Sequence, residues 1–281
     1  MRRVVLSIRS LSAAGALAVL CASAHAADYS IPISDAPLRG SKTYEVAPPT
    51  YPHWDGFYFG AQAGMSFQNA DFSNASQSQI TSIFQNTSQL NDVSGWTILG
   101  KGTASATAFG AFMGYNFQWD QLVAGVEANY NRLSGKQIGQ TGTVGPIIAS
   151  DGFTFTATST ATLKITDMLT LRGRAGYTID RFMPYAFVGV GIARADISRT
   201  TNFTQVLNSG GANVTAALSG NPASESQSGA LAYGVTAGLG VEAAITQNLF
   251  LRAEWEYVGF APIHDIRANV NSARVGLGLK F

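Results

Sequence analysis

Histidines, cysteines and facing carboxylates are where catalytic chemistry usually begins, and this sequence spends few of them. Its histidines are His25, His53 and His264, and His25 falls in a segment that reads as a removable export signal. His53 precedes the first strand-like stretch and His264 lies in the last loop, so a barrel's apolar band, roughly 25 Å tall, would keep them apart. They cannot share a substrate or a metal. Serines and threonines abound, yet no histidine falls on a strand to activate one. Gly189-Val190-Gly191 and Gly238-Leu239-Gly240 hint at a dinucleotide fingerprint, but neither precedes a helix, and alternate glycines on one strand face account for both. The single cysteine, Cys21, follows Leu20, where lipoprotein processing needs a small residue. It leaves with the export signal, so the mature chain has no disulfide, thiol nucleophile or cysteine metal site. No enzyme activity, cofactor or metal is expected.

Charge is what the sequence does place with regularity. Glu127, Arg172, Arg174, Glu242, Arg252, Glu254, Glu256, Arg274 and Lys280 all fall on the more polar face of stretches that alternate with a period of two. So many charges cannot fill the dry core of a sandwich, because unpaired buried charge is costly. They can line a polar lumen and neutralise one another. Glu127 is placed to pair with Arg172 or Arg174, and Arg252 and Glu254 with Glu242 and Arg274.

The elements that carry these residues follow from the periodicity. Arg2 and Arg3 precede an apolar run over 11–24, and Ala24-His25-Ala26 supplies the small residues a signal peptidase reads. Residues 1–26 are therefore expected to be a cleaved signal peptide. The run is too short for a membrane-spanning helix, which takes roughly 20 residues. Residues 27–53 contain Pro32, Pro37, Pro48, Pro49 and Pro52 without apolar periodicity, as suits an extended periplasmic leader. From 54 to 281 the chain alternates apolar and polar residues over eight stretches: 57–67, 109–119, 122–130, 169–177, 184–195, 231–243, 249–257 and 273–281. Short turns at 120–121, 179–182 and 246–248 alternate with long Ser-, Thr-, Asn- and Gln-rich links at 68–108, 131–162 and 196–229. This predicts an all-β fold: a transmembrane up-and-down antiparallel barrel of eight strands, with short periplasmic turns and long extracellular loops.

Composition points the same way. Charged residues make up 12% of the chain against about 25% in an ordinary soluble protein, and the net charge of +1 gives no reason to expect nucleic acid as a partner. The bulkier face of each strand is then the lipid face. Trp54, Phe57, Phe117, Trp119, Tyr177 and Phe281 are expected to gather at one rim, and Tyr130, Tyr233, Trp255 and Tyr257 at the other. Amphipathic rings sit at headgroup level in two such girdles.

The stretches Trp54-Asp55-Gly56-Phe57-Tyr58, Leu171-Arg172-Gly173-Arg174-Ala175-Gly176-Tyr177 and Asp180-Arg181-Phe182-Met183-Pro184-Tyr185, and the closing Arg274-Val275-Gly276-Leu277 to Phe281, resemble the small outer-membrane β-barrel proteins of α-proteobacteria. That group includes surface immunogens and haemin-binding proteins and is related in fold to OmpA/OmpX-type barrels. The resemblance implies that Leu277, Leu279 and Phe281 form the terminal signal for the barrel-assembly machinery. It also raises haemin binding, through His264 or loop tyrosines. The partners expected are outer-membrane lipid and lipopolysaccharide, the assembly machinery during insertion, and a host or cell-surface ligand through the loops. The localisation expected is the outer membrane of a Gram-negative bacterium. Three functions compete: a structural, surface-presenting barrel whose lumen is plugged by the charged network, a narrow passive porin, and a haemin receptor.

Overall fold

In the computed structural model, the structure describes residues 53–84, 95–148, 153–209, 212–216, 221–263 and 265–281. The expected signal peptide, most of the proline-rich leader and His264 lie outside the described residues. The elements are ten strands and one helix: β1 (Gly56–Asp71), α1 (Gln77–Phe84), β2 (Lys101–Trp119), β3 (Leu122–Gly135), β4 (Ile138–Ile148), β5 (Phe153–Tyr177), β6 (Phe182–Ser209), β7 (Ala212–Ala216), β8 (Ala223–Ala244), β9 (Leu249–Phe260) and β10 (Arg267–Lys280). Every pairing is antiparallel. Eight strands close a ring in the order β1-β2-β3-β5-β6-β8-β9-β10, and β10 returns to β1 from Tyr58↔Lys280 to Asp71↔Arg267. Closure leaves the ring no free edge, which lipid requires, because an unpaired backbone amide has no water to turn to there.

The turns at one end are tight. Asp120 and Asp180 adopt left-handed backbone (φ 51° each), which a short polar side chain tolerates. Thr246 Oγ1 accepts the amides of Asn248 and Leu249 at 3.3 and 3.0 Å and closes the third turn. At the other end the structure departs from the expectation of long polar loops. Much of the long links is strand: β5 begins at Phe153 and β6 runs to Ser209, well beyond the apolar stretches at 169–177 and 184–195. β4 and β7 add hairpin partners to these extensions, on β5 and β6. The physical reason is that threonine is β-branched and pairs across strands. Thr141 faces Thr160 and Thr143 faces Thr158, with hydroxyls 3.2 and 3.1 Å apart. Polarity marks where the sheet leaves lipid, not where it stops.

Inside the ring, the filling is layered. Nearest the short turns lie Tyr58, Phe112, Tyr185, Phe187 and Phe250. Farther along come buried amides: Gln62 Nε2 donates to Asn129 and Asn131 at 3.0 and 2.6 Å. Next is an apolar layer that includes Leu133, Leu163, Met168 and Val258. The far mouth holds α1, whose Ile80, Ile83 and Phe84 pack with Phe155 and Phe203. An eight-stranded bore is just wide enough for side chains to fill, and here buried side chains line it at each of these levels.

Candidate functional site: the charged lumen

Alternation along five different strands turns Glu127, Arg172, Arg174, Glu242, Arg252, Glu254, Glu256 and Arg274 into one space, and all are buried. Four guanidiniums and four carboxylates meet there, so the cluster is neutral as a whole. Arg172 Nη2 lies 2.5 Å from Glu127 Oε1 and 2.6 Å from Glu254 Oε2. Arg252 joins Glu127 to Glu242, at 2.7 and 2.6 Å. Arg174 also reaches Glu242, at 2.8 Å, and Glu127, at 3.2 Å. Arg274 Nη2 stands 2.5 Å from both Glu254 and Glu256. Arginine suits this place because its planar fork holds several carboxylates at fixed angles and stays charged.

Rings complete the coordination. Tyr58 Oη donates to Glu127 at 2.7 Å and Tyr185 Oη to Glu254 at 2.8 Å, while Thr236 Oγ1 donates to Glu256 at 2.7 Å. The guanidiniums of Arg252, Arg172 and Arg174 lie 3.7 to 4.0 Å from the ring centres of Phe112, Phe187 and Tyr185. A desolvated cation over a ring gains more than an exposed one does. Each of these rings packs against a glycine of the paired strand. A Cβ on Gly240 would come within 2.4 Å of the Tyr185 ring, and one on Gly60 within 2.3 Å of Phe112. The lumen glycines are therefore the floor on which the rings rest.

The sequence placed two residues differently. Trp54 is not at the outer rim: it is 2% exposed, inside the bore, with its ring edge-on to Phe250 at 5.9 Å. Its number has the parity of Tyr58, the lumen parity. Hydrogen bonds from its amide to Gln118 (2.6 Å) and from Asn116 to its carbonyl (3.1 Å) tuck it under the barrel floor. Lys280 is buried but stands apart from the cluster. Its ammonium donates to the His53 carbonyl and lies 4.5 Å from the Trp54 ring centre. It sits at the last position of β10, beyond salt-bridge distance of the cluster's glutamates.

Phe57, Phe117, Trp119, Tyr177 and Phe281 stand outward near the short turns, and Tyr130, Tyr233, Trp255 and Tyr257 stand outward farther along. Trp255 occupies the outward position one step nearer the turns than Tyr257. Leu277, Leu279 and Phe281 also point out, and the Phe281 amide donates to the Phe57 carbonyl at 2.9 Å. Sequence reasoning missed Tyr185 and Phe187 as partners of the charges, and passed over Tyr58 and Phe112 on the polar face. The available signal was parity joined to a glycine on the next strand. It also missed Arg199, which donates to the Ala75 carbonyl at 2.9 Å and pairs with Glu225 at 2.6 Å and Asp265 at 3.4 Å, fastening the segment before α1 across the mouth. Among the described residues, no three metal-ligating side chains come together. His53 is exposed and 3.9 Å from Asp55.

A closed antiparallel ring with apolar groups outside and charges inside is the form of a bacterial outer-membrane barrel. The family model for the outer membrane protein beta-barrel domain matches residues 12–281. The chain belongs to that family. Among relatives of this outer-membrane barrel, the 25 kDa outer-membrane immunogenic protein of Brucella ovis is 29% identical over 61% of this chain and 62% of its own length. The 22 kDa outer membrane protein of Rhizobium leguminosarum bv. viciae is 26% identical over 60% of this chain and 64% of its own. The chain thus spans somewhat under two thirds of these relatives. Both are named as outer-membrane proteins and neither as an enzyme. Among solved structures, Neisserial surface protein A aligns over 80% of this chain and 97% of its own at 15% identity and a TM-score of 0.34. The outer membrane protein OprG of Pseudomonas aeruginosa aligns over 82% and 98% at 12% identity and a TM-score of 0.36.

Proposed function

We propose that this barrel is a structural, surface-presenting protein of the outer membrane whose lumen does not conduct. The observation that carries this reading is the continuous filling of the bore: a neutral ionic cluster roofed by rings, then amides, then an apolar layer, then α1. An ion entering would have to displace buried arginines, each of which already has two or more anionic or aromatic neighbours. The extended hairpins above the membrane, formed by β4 with β5 and by β6 with β7 and β8, are the surface left to meet another cell or a soluble ligand. In the same reading the outward rings meet lipid headgroups, Leu277, Leu279 and Phe281 present the assembly signal, and residues 1–26 are removed on export.

Recording from the purified protein in planar bilayers tests this. Only rare, small openings are expected, and liposomes carrying the protein should not swell in sugar solutions. A steady, large conductance would overturn the closed reading in favour of a porin. Haemin titration, followed by its absorption spectrum, should show no saturable shift, and a saturable one would favour the receptor reading.

A further inference from the structure

The outward face changes character sharply where β10, β1 and β2 leave the apolar band. Successive rows across β10, β1 and β2 read Ala273–Met65–Thr107, Asn271–Phe67–Ser105, Asn269–Asn69–Thr103 and Arg267–Asp71–Lys101. Apolar residues thus give way to amides and then to charges within four rows. A groove of about 730 Å³ opens there, lined by Lys101, Arg267, Asp71, Tyr257, Asn69 and Asn269 among others. A second, of about 660 Å³, shares Asn69 and Thr103 with it and adds Phe67 and Lys136.

Among the described residues the surplus of cations is larger on this side than elsewhere at this level, where three cations meet two carboxylates, Asp167 and Asp196. Elsewhere around the barrel at this level Arg132 lies 4.0 Å from Asp167, Arg194 is paired across the sheet with Asp167, and Lys164 with Asp196. Along the joined grooves, Lys101, Lys136 and Arg267 face one carboxylate, Asp71, which lies 3.8 Å from Lys101 Nζ. Tyr257 and Phe67, exposed at the groove floor, continue into the lipid-facing surface.

We propose that these joined grooves are a docking site for the phosphate-bearing headgroup of an outer-leaflet glycolipid, its acyl chains lying on Met65, Phe67 and Tyr257. The geometry suits an anionic amphiphile: surplus cations at headgroup height, hydrogen-bonding amides beneath them, and apolar side chains below. A soluble anion would use the cations alone and leave the apolar floor unmatched, so the glycolipid is the better fit. The inference rests on the barrel's place in the outer membrane and does not depend on whether the lumen conducts.

The test uses the full chain folded in detergent and native mass spectrometry. It is offered lipid A carrying its phosphates, the same lipid A stripped of phosphate, or phosphatidylglycerol. Three variants accompany it: K101Q/K136Q/R267Q, a control R132Q/K164Q/R194Q that removes equal charge elsewhere, and D71N. Heat-modifiable migration in detergent gels confirms that each folds. Phosphorylated lipid A should be retained in preference to the other two lipids. The groove variant should lose about tenfold or more in retention, the scale expected of basic side chains at an anionic surface. The control should lose about twofold or less, since its cations lie outside the grooves, each beside a carboxylate on the neighbouring strand, and D71N should bind more tightly. Equal retention of the dephosphorylated lipid or of phosphatidylglycerol, equal losses in both triple variants, or weaker binding by D71N would each overturn the proposal.

Discussion

At Arg172, three carboxylates converge: Glu127 at 2.5 Å, Glu254 at 2.6 Å and Glu256 at 3.4 Å. None of the four groups has access to water. Removing one partner of such a set strands the others as uncompensated buried charge, which costs about 3–5 kcal/mol. Arg172→Met should therefore lower the unfolding free energy of the detergent-folded barrel, read from urea titration, by that scale. Arg132→Met, whose exposed guanidinium stands 4.0 Å from Asp167, should cost no more than about 1 kcal/mol. Equal effects would show that the lumen charges are solvated. Strand parity revealed which residues turn inward, because alternation is a local property. It left Glu127 a choice between Arg172 and Arg174, and the structure gives it both, with Arg252 besides.

The elements show why the long links were harder to read. The link between β1 and α1 is tied by Asp71, whose Oδ1 accepts the Ser73 hydroxyl at 2.6 Å and the Ser73 amide at 3.0 Å. These bonds, with Lys101 nearby, hold its carboxyl below the usual aspartate value. A carboxyl depressed in the folded state adds stability above its unfolded pKa and loses it as pH falls through the folded one. The loss therefore belongs to acid conditions, below the ordinary aspartate range. Ser73→Ala should move the Asp71 titration up toward its ordinary value, as followed by carboxyl carbon NMR, and no movement would mean that the bond does not form in solution. This link was legible only as polar sequence. Its turn depends on a hydroxyl two residues away, and α1, at Gln77–Phe84, is short and becomes visible as an element by packing on Phe155 and Phe203.

For the molecule as a whole, the mouth and the bore are packed by separate sets of side chains. Arg199 fastens the Ala75 carbonyl, Glu225 and Asp265, and Gln79 of α1 donates to the Ala223 carbonyl at 3.1 Å and accepts from Thr201 at 2.7 Å. Arg199→Met should loosen the mouth and speed proteolysis between β1 and β2 severalfold, the behaviour of a locally opened segment. Bilayer conductance should stay at the basal level, because the apolar, amide and ionic layers beneath are untouched. A rise in conductance would make the helix the seal.

Taken by itself, the sequence determined the class of fold. Alternation over eight stretches, scarce charge, and bulky residues on one parity with ionic ones on the other leave only a barrel turned outward to lipid, since no other form satisfies both faces. It also marked which charged residues share a strand face, Lys280 among them, because parity needs no knowledge of neighbours. What the tertiary structure alone decided depends on register. Tyr58 faces Gly114, Phe112 faces Gly60, Tyr185 faces Gly240, Phe187 faces Gly238 and Phe250 faces Gly278. Each ring thus gains a glycine floor on the next strand, and three of the four guanidiniums, Arg172, Arg174 and Arg252, gain a ring. Which residue stands opposite which is set by shear around a closed ring, a property of all eight strands at once. Hence Trp54 went to the lumen, Lys280 to the floor, and the larger surplus of cations to one side of the barrel.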